Sequence, residues 1–98
     1  MPYQTEPFGA ALREARIRKG WSQRDLSQRA GLPQPHVSRI ESGAVDLRLS
    51  TLVELSRLLD LEPVLVPRSA LLAVRAVIRE AIGGVVEDRP AYSLDDED

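Results

Sequence analysis

Three glycines, Gly20, Gly31 and Gly43, cut the first half of the chain into segments of roughly ten residues, each too short to persist as an isolated helix. Whatever these segments form must be held by packing one against another. The apolar residues between the glycines recur at helical spacing. After Pro7, which suits a first helical turn, Phe8, Ala11, Leu12 and Ala15 make a stripe that stops at Gly20. Ser22 then precedes Asp25 by three residues, the pattern of a capping box, with Leu26 and Ala30 on the inner side and Gly31 as the stop. The connector Gly31-Leu32-Pro33 is short enough to send the next segment across the last at a steep angle. Val37 and Ile40 mark a third helix from Gln34 to Ser42-Gly43, and Pro35 is tolerated there because the first turn has spare backbone donors. A fourth amphipathic run follows from Leu49 to Leu61, with Leu49, Leu52, Val53, Leu55, Ser56 and Leu59 on its apolar face.

Four such helices can close one small core, and 98 residues leave no room for a second. There is no cysteine, and His36 is the single histidine. Disulfides, thiolate zinc sites, iron–sulfur clusters, cysteine nucleophiles and multi-histidine metal sites are thereby excluded. No nucleophile–base pair or phosphate-cradling glycine loop is evident either, so we expect neither enzymatic activity nor a cofactor. No stretch approaches the roughly 18 apolar residues of a membrane helix, and the start MPYQTEPFGA lacks the features of a signal peptide. The expectation is a cytoplasmic protein without membrane contact.

The net charge of -2 hides a division. Residues 1–82 carry twelve basic and nine acidic side chains, whereas residues 83–98 carry one arginine and six acids. The last stretch, GGVVEDRPAYSLDDED, has the composition of a solvated, disordered acidic tail. It is either an inert solubilising terminus, a docking segment anchored by Tyr92 and Leu94, or a competitor of DNA for the protein's own basic face. Twelve of the thirteen basic residues are arginine, which suits phosphate and base recognition but follows equally from a coding bias.

The third helix gives the chemistry. With Val37 and Ile40 facing inward, Gln34, His36, Ser38 and Arg39 fall on or near the outer side. Glutamine can pair bidentately with adenine and arginine with guanine, and a helix fits a major groove. Ser22, Gln23 and the free amides of the second helix can hold a phosphate at the positive end of its dipole. The alternative is that these side chains are simply solvated surface.

The stretch WSQRDLSQRAGLPQPHVSRIESG, Trp21 to Gly43, resembles the helix-turn-helix of the lambda Cro and phage-repressor-like (XRE) family of bacterial regulators, and the likeness covers about residues 8–62. It implies an all-α, five-helix, lambda-repressor-like domain once the fifth helix described below is added. It also implies that Gln34, Pro35, Ser38 and Arg39 face the major groove, that Gln23 holds a phosphate, and that Arg16 and Glu41 form a partly buried ion pair joining the first helix to the third. Two residues depart from the family pattern. Pro33 stands where Ser or Thr would cap the third helix, and Pro35 offers only apolar contact to a base, which shifts base reading onto Gln34 and Arg39. His36 is a phosphate neighbour or a surface residue rather than a metal ligand.

Beyond Leu61, Val64, Leu65 and Val66 form a strand-like run bracketed by Pro63 and Pro67. An otherwise helical chain offers such a strand one partner, the same strand of a second copy across a two-fold axis. Ser69 is placed to cap a fifth helix whose Leu71, Val74, Ile78 and Ile82 share one face. We therefore expect residues 1–62 to be the DNA-binding domain, 63–82 a dimerisation extension and 83–98 the tail. In the alternative, the fifth helix covers the core of its own chain and residues 64–66 are an irregular connector. Leu61-Glu62-Pro63-Val64-Leu65-Val66-Pro67 after such a domain looks like the HipB-type antitoxins. That likeness implies a homodimer on a palindromic double-stranded operator, repression of its own operon and a HipA-like kinase toxin as partner. A stand-alone phage-type or metabolic repressor, or a module that mainly neutralises a protein partner, are the competing readings.

Overall fold

The computed structural model describes residues 3–86, with side-chain surroundings up to position 83. Five α-helices are present among them: α1 Glu6–Arg18, α2 Gln23–Ala30, α3 Gln34–Ser42, α4 Leu49–Leu58 and α5 Leu71–Val86, the last preceded by a short 3-10 turn at Arg68–Ala70. The chain divides into two compact units, Met1–Pro63 and a second beginning at Val64.

In the first unit the turn signals act where the sequence places them. Pro7 lies in the first turn of α1. The Ser22 hydroxyl accepts from the Asp25 amide at 3.0 Å while the Asp25 carboxylate accepts from the Ser22 amide at 2.8 Å, completing the capping box of α2. α2 ends on a left-handed Gly31, and α3 on Gly43 at φ 78°, a conformation that favours a residue without Cβ. α4 ends with Asp60 in the left-handed region at φ 59°, and the Leu61 amide reaches back to the Ser56 carbonyl at 2.8 Å.

α3 packs on both α1 and α2, and α4 closes the far side against α1 and α2. The core comprises Leu12, Ala15, Leu26, Val37, Ile40, Leu55 and Leu59, one or two from each of α1 to α4 with Leu59 at the C-cap of α4, lined by half-buried Trp21, Leu32, Leu47 and Leu52. Periodicity identifies the core but overextends it at helix ends. Phe8 is 51% exposed and Leu49 72% exposed, and both lie in the first turn of their helices. α4 stops at Leu58, three residues before the boundary that hydropathy suggested.

In the second unit, no strand forms among the described residues. Residues 61–67 have irregular backbone, and Val64 and Leu65 are exposed. Within one chain this proline-bracketed run finds no ladder partner, so the expected strand is absent here. Ser69 does not cap α5 either: it lies inside the 3-10 turn and makes no side-chain cap, and the turn instead starts from Pro67, whose carbonyl accepts from Ala70 at 2.9 Å. α5 continues through Gly83 and Gly84 to Val86, four residues into the segment that composition gave to the tail. Glycine in a helix interior costs about 1 kcal/mol relative to alanine, which weakens a helix without obliging it to stop. The remainder of the acidic tail, with Tyr92 and Leu94, lies outside the described residues.

Candidate nucleic-acid interface

α3 has one inner and one outer side, and its sequence assigns each residue to them. Val37, Ile40 and Glu41 are buried at 1%, 3% and 7% exposure. At about 100° per residue, Gln34, Ser38, Ser42, Pro35 and Arg39 fall in a single arc of roughly 140° on the opposite side. All five are exposed, while His36 at the edge of the arc is half-buried. The outer arc thus presents two amide or guanidinium heads, two hydroxyls and one proline ring. Ser42 was not among the residues singled out by sequence; its hydroxyl donates back to the Arg39 carbonyl at 3.2 Å.

The inner side is fixed by charge as well as by packing. Arg16 on α1 donates from Nε to Glu41 Oε2 at 2.8 Å and from Nη2 to Oε1 at 3.0 Å, a two-pronged ion pair with side chains 10% and 3% exposed. The third arm of the guanidinium donates to the Trp21 carbonyl at 2.8 Å, so Arg16 also holds the turn between α1 and α2. The ion pair implied by the family resemblance is therefore present, and more deeply buried than a partly exposed pair.

Glu41 accepts one further hydrogen bond, from Gln23 Nε2 at 3.0 Å. A carboxylate only accepts, so the Gln23 amide must turn its NH2 inward and its carbonyl outward. That carbonyl faces Gln34 Nε2 at 3.4 Å. Gln34 in turn spends one N–H on Gln23 and leaves its Oε1 and second N–H free, the acceptor–donor pair that matches the N6 and N7 edge of adenine. Gln23 was expected to hold a phosphate, and the structure places its side-chain amide between Glu41 and Gln34. Both glutamines open their helices, at the first position of α2 and of α3, and that shared position is visible in the sequence, whereas the facing of their side chains is not.

The α2 N-terminus retains the backbone amides of Gln23 and Arg24, which lie in a first turn where no intrahelical acceptor exists. The Ser22 hydroxyl acts as the cap acceptor and keeps its own proton to donate. Hydrogen bonding from the Ser22 amide, then the Ser22 side chain, with a smaller contribution from Arg29, holds the Asp25 carboxyl below its ordinary 3.8. Behind this end, Arg29 lies 4.2 Å and Lys19 5.0 Å from the Trp21 ring, and Lys19 pairs with Asp60 at 2.8 Å. Val64, Leu65 and Val66, expected at a dimer interface, belong to the second unit. No helix among the described residues is long and apolar enough to cross a membrane.

A helix-turn-helix family model matches residues 12–66, which include α2, α3, the turn between them and all of α4. A curated protein of Sinorhizobium fredii (strain NBRC 101917 / NGR234), named as the uncharacterized HTH-type transcriptional regulator y4dL, is 44% identical over 81 residues. The aligned region is 83% of this chain and 41% of that relative, so this chain spans about two fifths of the relative's length. No solved structure matches the chain. Since the matching model spans more than half of the sequence, and its two central helices are those whose outer and inner sides are described above, the chain belongs to the helix-turn-helix family.

Proposed function

We propose that the protein is a sequence-specific DNA-binding transcriptional repressor that presents α3 to the major groove. The observation that carries this reading is the amide chain Glu41–Gln23–Gln34, which aims the exposed head of Gln34 with its acceptor and donor outward. A solvated surface glutamine needs no such orientation. Arg39, exposed on the same arc, supplies a bidentate guanine reader. Pro35 contributes apolar contact to a thymine methyl and Ser38 a hydroxyl. The free amides at the start of α2, with Ser22, hold a backbone phosphate, and His36 lies beside that backbone.

In this reading the operator is palindromic and bound by a homodimer. Val64, Leu65 and Val66 pair with the same residues of a second copy, an arrangement supported by the exposure of Val64 and Leu65 and by the apolar Val77 and Ile78 exposed on α5. Residues 1–62 bind DNA and the segment from 63 onward joins the copies. The finer setting, an autoregulating antitoxin of HipB type with a HipA-like kinase toxin as partner, rests on the sequence Leu61–Pro67. The name of the Sinorhizobium relative supports transcriptional regulation and says nothing of a toxin.

Selection of bound fragments from random double-stranded DNA tests the proposal. The expected product is a palindrome whose half-sites are centred about 34 Å apart, one helical turn, or a multiple of it. Recovery of fragments with no shared motif, at an affinity that falls with salt equally for all, would show phosphate binding without base reading.

A further inference from the structure

We propose that residues 3–9 act as a brace that fastens the last turn of α3 and the loop after it, and that Thr5 and Gly9 are positioning residues for the base read by Arg39. The inference rests on the DNA-reading proposal and adds the element that fixes the far end of the recognition helix.

Four observations converge on the last turn of α3 and the loop after it. Thr5 stands at the N-cap of α1 but does not cap it: its backbone lies at φ -83° and ψ 1°, and its hydroxyl instead accepts from the Leu47 amide at 3.2 Å, across 42 residues of sequence. Threonine at that position ordinarily serves its own helix, so its diversion to the loop leaving α3 is a second use of the residue. The Tyr3 amide donates to the Gly43 carbonyl at 3.1 Å. Gly9 is buried, and a Cβ there would fall on the Ile40 carbonyl oxygen, 3.0 Å from its carbon and 3.4 Å from Glu41 Cα. A Cβ on Gly43 would meet Glu6 Cβ at 2.8 Å and Cγ at 2.6 Å. α1 and the end of α3 therefore touch backbone to backbone.

The carbonyl that Gly9 approaches belongs to the turn that carries Arg39. The Ile40 carbonyl accepts from the Gly43 amide at 3.2 Å, and the Arg39 carbonyl accepts from the Ala44 amide at 2.9 Å. α3 has nine residues and a length of about 13 Å. Val37, Ile40 and the Arg16–Glu41 pair hold the inner side of this rod, and the approach of Gly9 to the Ile40 carbonyl, with Tyr3 on Gly43 and Thr5 on Leu47, additionally fastens its last turn and the loop that leaves it. The two ends are then held by different means: Gln34 through Gln23, and Arg39 through the brace. Disturbing the brace should accordingly affect one reader and spare the other.

The test uses the full chain with Thr5→Val, which keeps the shape and removes the acceptor, and Gly9→Ala, which forces α1 away from Ile40. Leu59→Val, a core change at the C-cap of α4, serves as a destabilised comparison. For each, thermal unfolding is followed by circular dichroism. Affinity is measured on the selected operator, on operators substituted one base pair at a time, and on a random duplex at low salt. Thr5→Val and Gly9→Ala should bind the operator about tenfold more weakly, lose preference at the Arg39 position, and keep both the preference at the Gln34 position and the affinity for random duplex within about twofold. Leu59→Val should weaken all DNA in proportion to its unfolded fraction. Should Gly9→Ala not fold, Thr5→Val carries the test alone. An unchanged preference profile, or losses that follow the unfolded fraction as in Leu59→Val, overturns the brace while leaving DNA reading in place. If the unaltered chain selects no motif, the DNA-reading proposal fails first and the brace with it.

Discussion

Glu41→Ala is the substitution whose cost the structure defines best. Glu41 accepts three hydrogen bonds, two from Arg16 and one from Gln23, and its side chain is 3% exposed. Truncating it leaves the Arg16 guanidinium buried with one acceptor, the Trp21 carbonyl. Removal of one member of a buried pair costs about 3–5 kcal/mol, because the remaining charge has lost water and gained nothing in return. The unit Met1–Pro63 has a total stability of roughly 3–9 kcal/mol at about 0.05–0.15 kcal/mol per residue. The substitution should therefore consume a third or more of that margin and lower the midpoint by roughly 12–40 °C, at about 4–8 °C per kcal/mol for a domain of this size.

Urea titration followed by the emission of Trp21, the single tryptophan, reads the loss directly, since Arg16 bonds to the backbone of that residue. The double variant Arg16→Leu/Glu41→Leu separates stranded charge from lost packing. With both charges gone, most of the stability should return, short by about 1 kcal/mol for the orphaned Trp21 carbonyl. A loss below about 1 kcal/mol for Glu41→Ala, or a double variant no better than the single one, would refute the stranded-charge reasoning.

Arg39→Ala should cost roughly 1–3 kcal/mol on the selected operator and relax preference at one base position, measured by titration against single-base operator variants; equal loss on random DNA contradicts base reading. Gln23→Ala removes the acceptor that orients Gln34, so its effect should appear as lost preference at the base read by Gln34; a double-mutant cycle with Gln34→Ala that gives additive effects would disprove the coupling. The Asp25 carboxyl is held below its ordinary 3.8 by Ser22, so its contribution is fully present above that value and disappears as pH falls through the lower folded value. Asp25→Asn should then flatten the acid limb of the stability curve below about pH 4 and leave the neutral limb parallel to that of the unaltered protein, as read by circular dichroism.

The helices were legible because their stop signals are chemical and local. Ser22 with Asp25, Gly31 and Gly43 act within a few residues of themselves, and the structure uses each of them as spacing suggests. The inner sides of α2 and α3 were legible for the same reason. Distances between side chains remote in sequence were not. That Gln23 faces Glu41 depends on which rotamer two packed helices leave open, and the sequence reading assigns Gln23 to a phosphate; that Thr5 serves Leu47 depends on how the loop after α3 passes the start of α1. The second unit was read least well, with Ser69 not capping, α5 longer than composition implied and no strand among the described residues. There the expectations invoked a second chain or a boundary set by two glycines, neither of which a local rule determines.

The missing cap at Pro33 shows how a departure from family pattern can be compensated by its neighbours. A helix normally begins with four unpaired amides, and a Ser or Thr cap relieves one of them at about 1 kcal/mol. At the start of α3, Pro33 and Pro35 have no amide to leave unpaired, and the His36 amide already bonds the Pro33 carbonyl at 3.0 Å. Only the amide of Gln34 remains, on a residue exposed to water. A serine at position 33 would find its usual donor at the second helical position absent and that at the third engaged, and it would add an amide of its own. Pro33 also sits at φ -62°, the value its ring imposes, so replacing it frees the unfolded chain without relieving strain. Pro33→Ser is accordingly expected to lower stability by roughly 0.4–1 kcal/mol, against the gain of about 1 kcal/mol that the family pattern alone suggests. Urea midpoints distinguish the two signs, and a stabilised variant would show that the proline pair does not substitute for the cap.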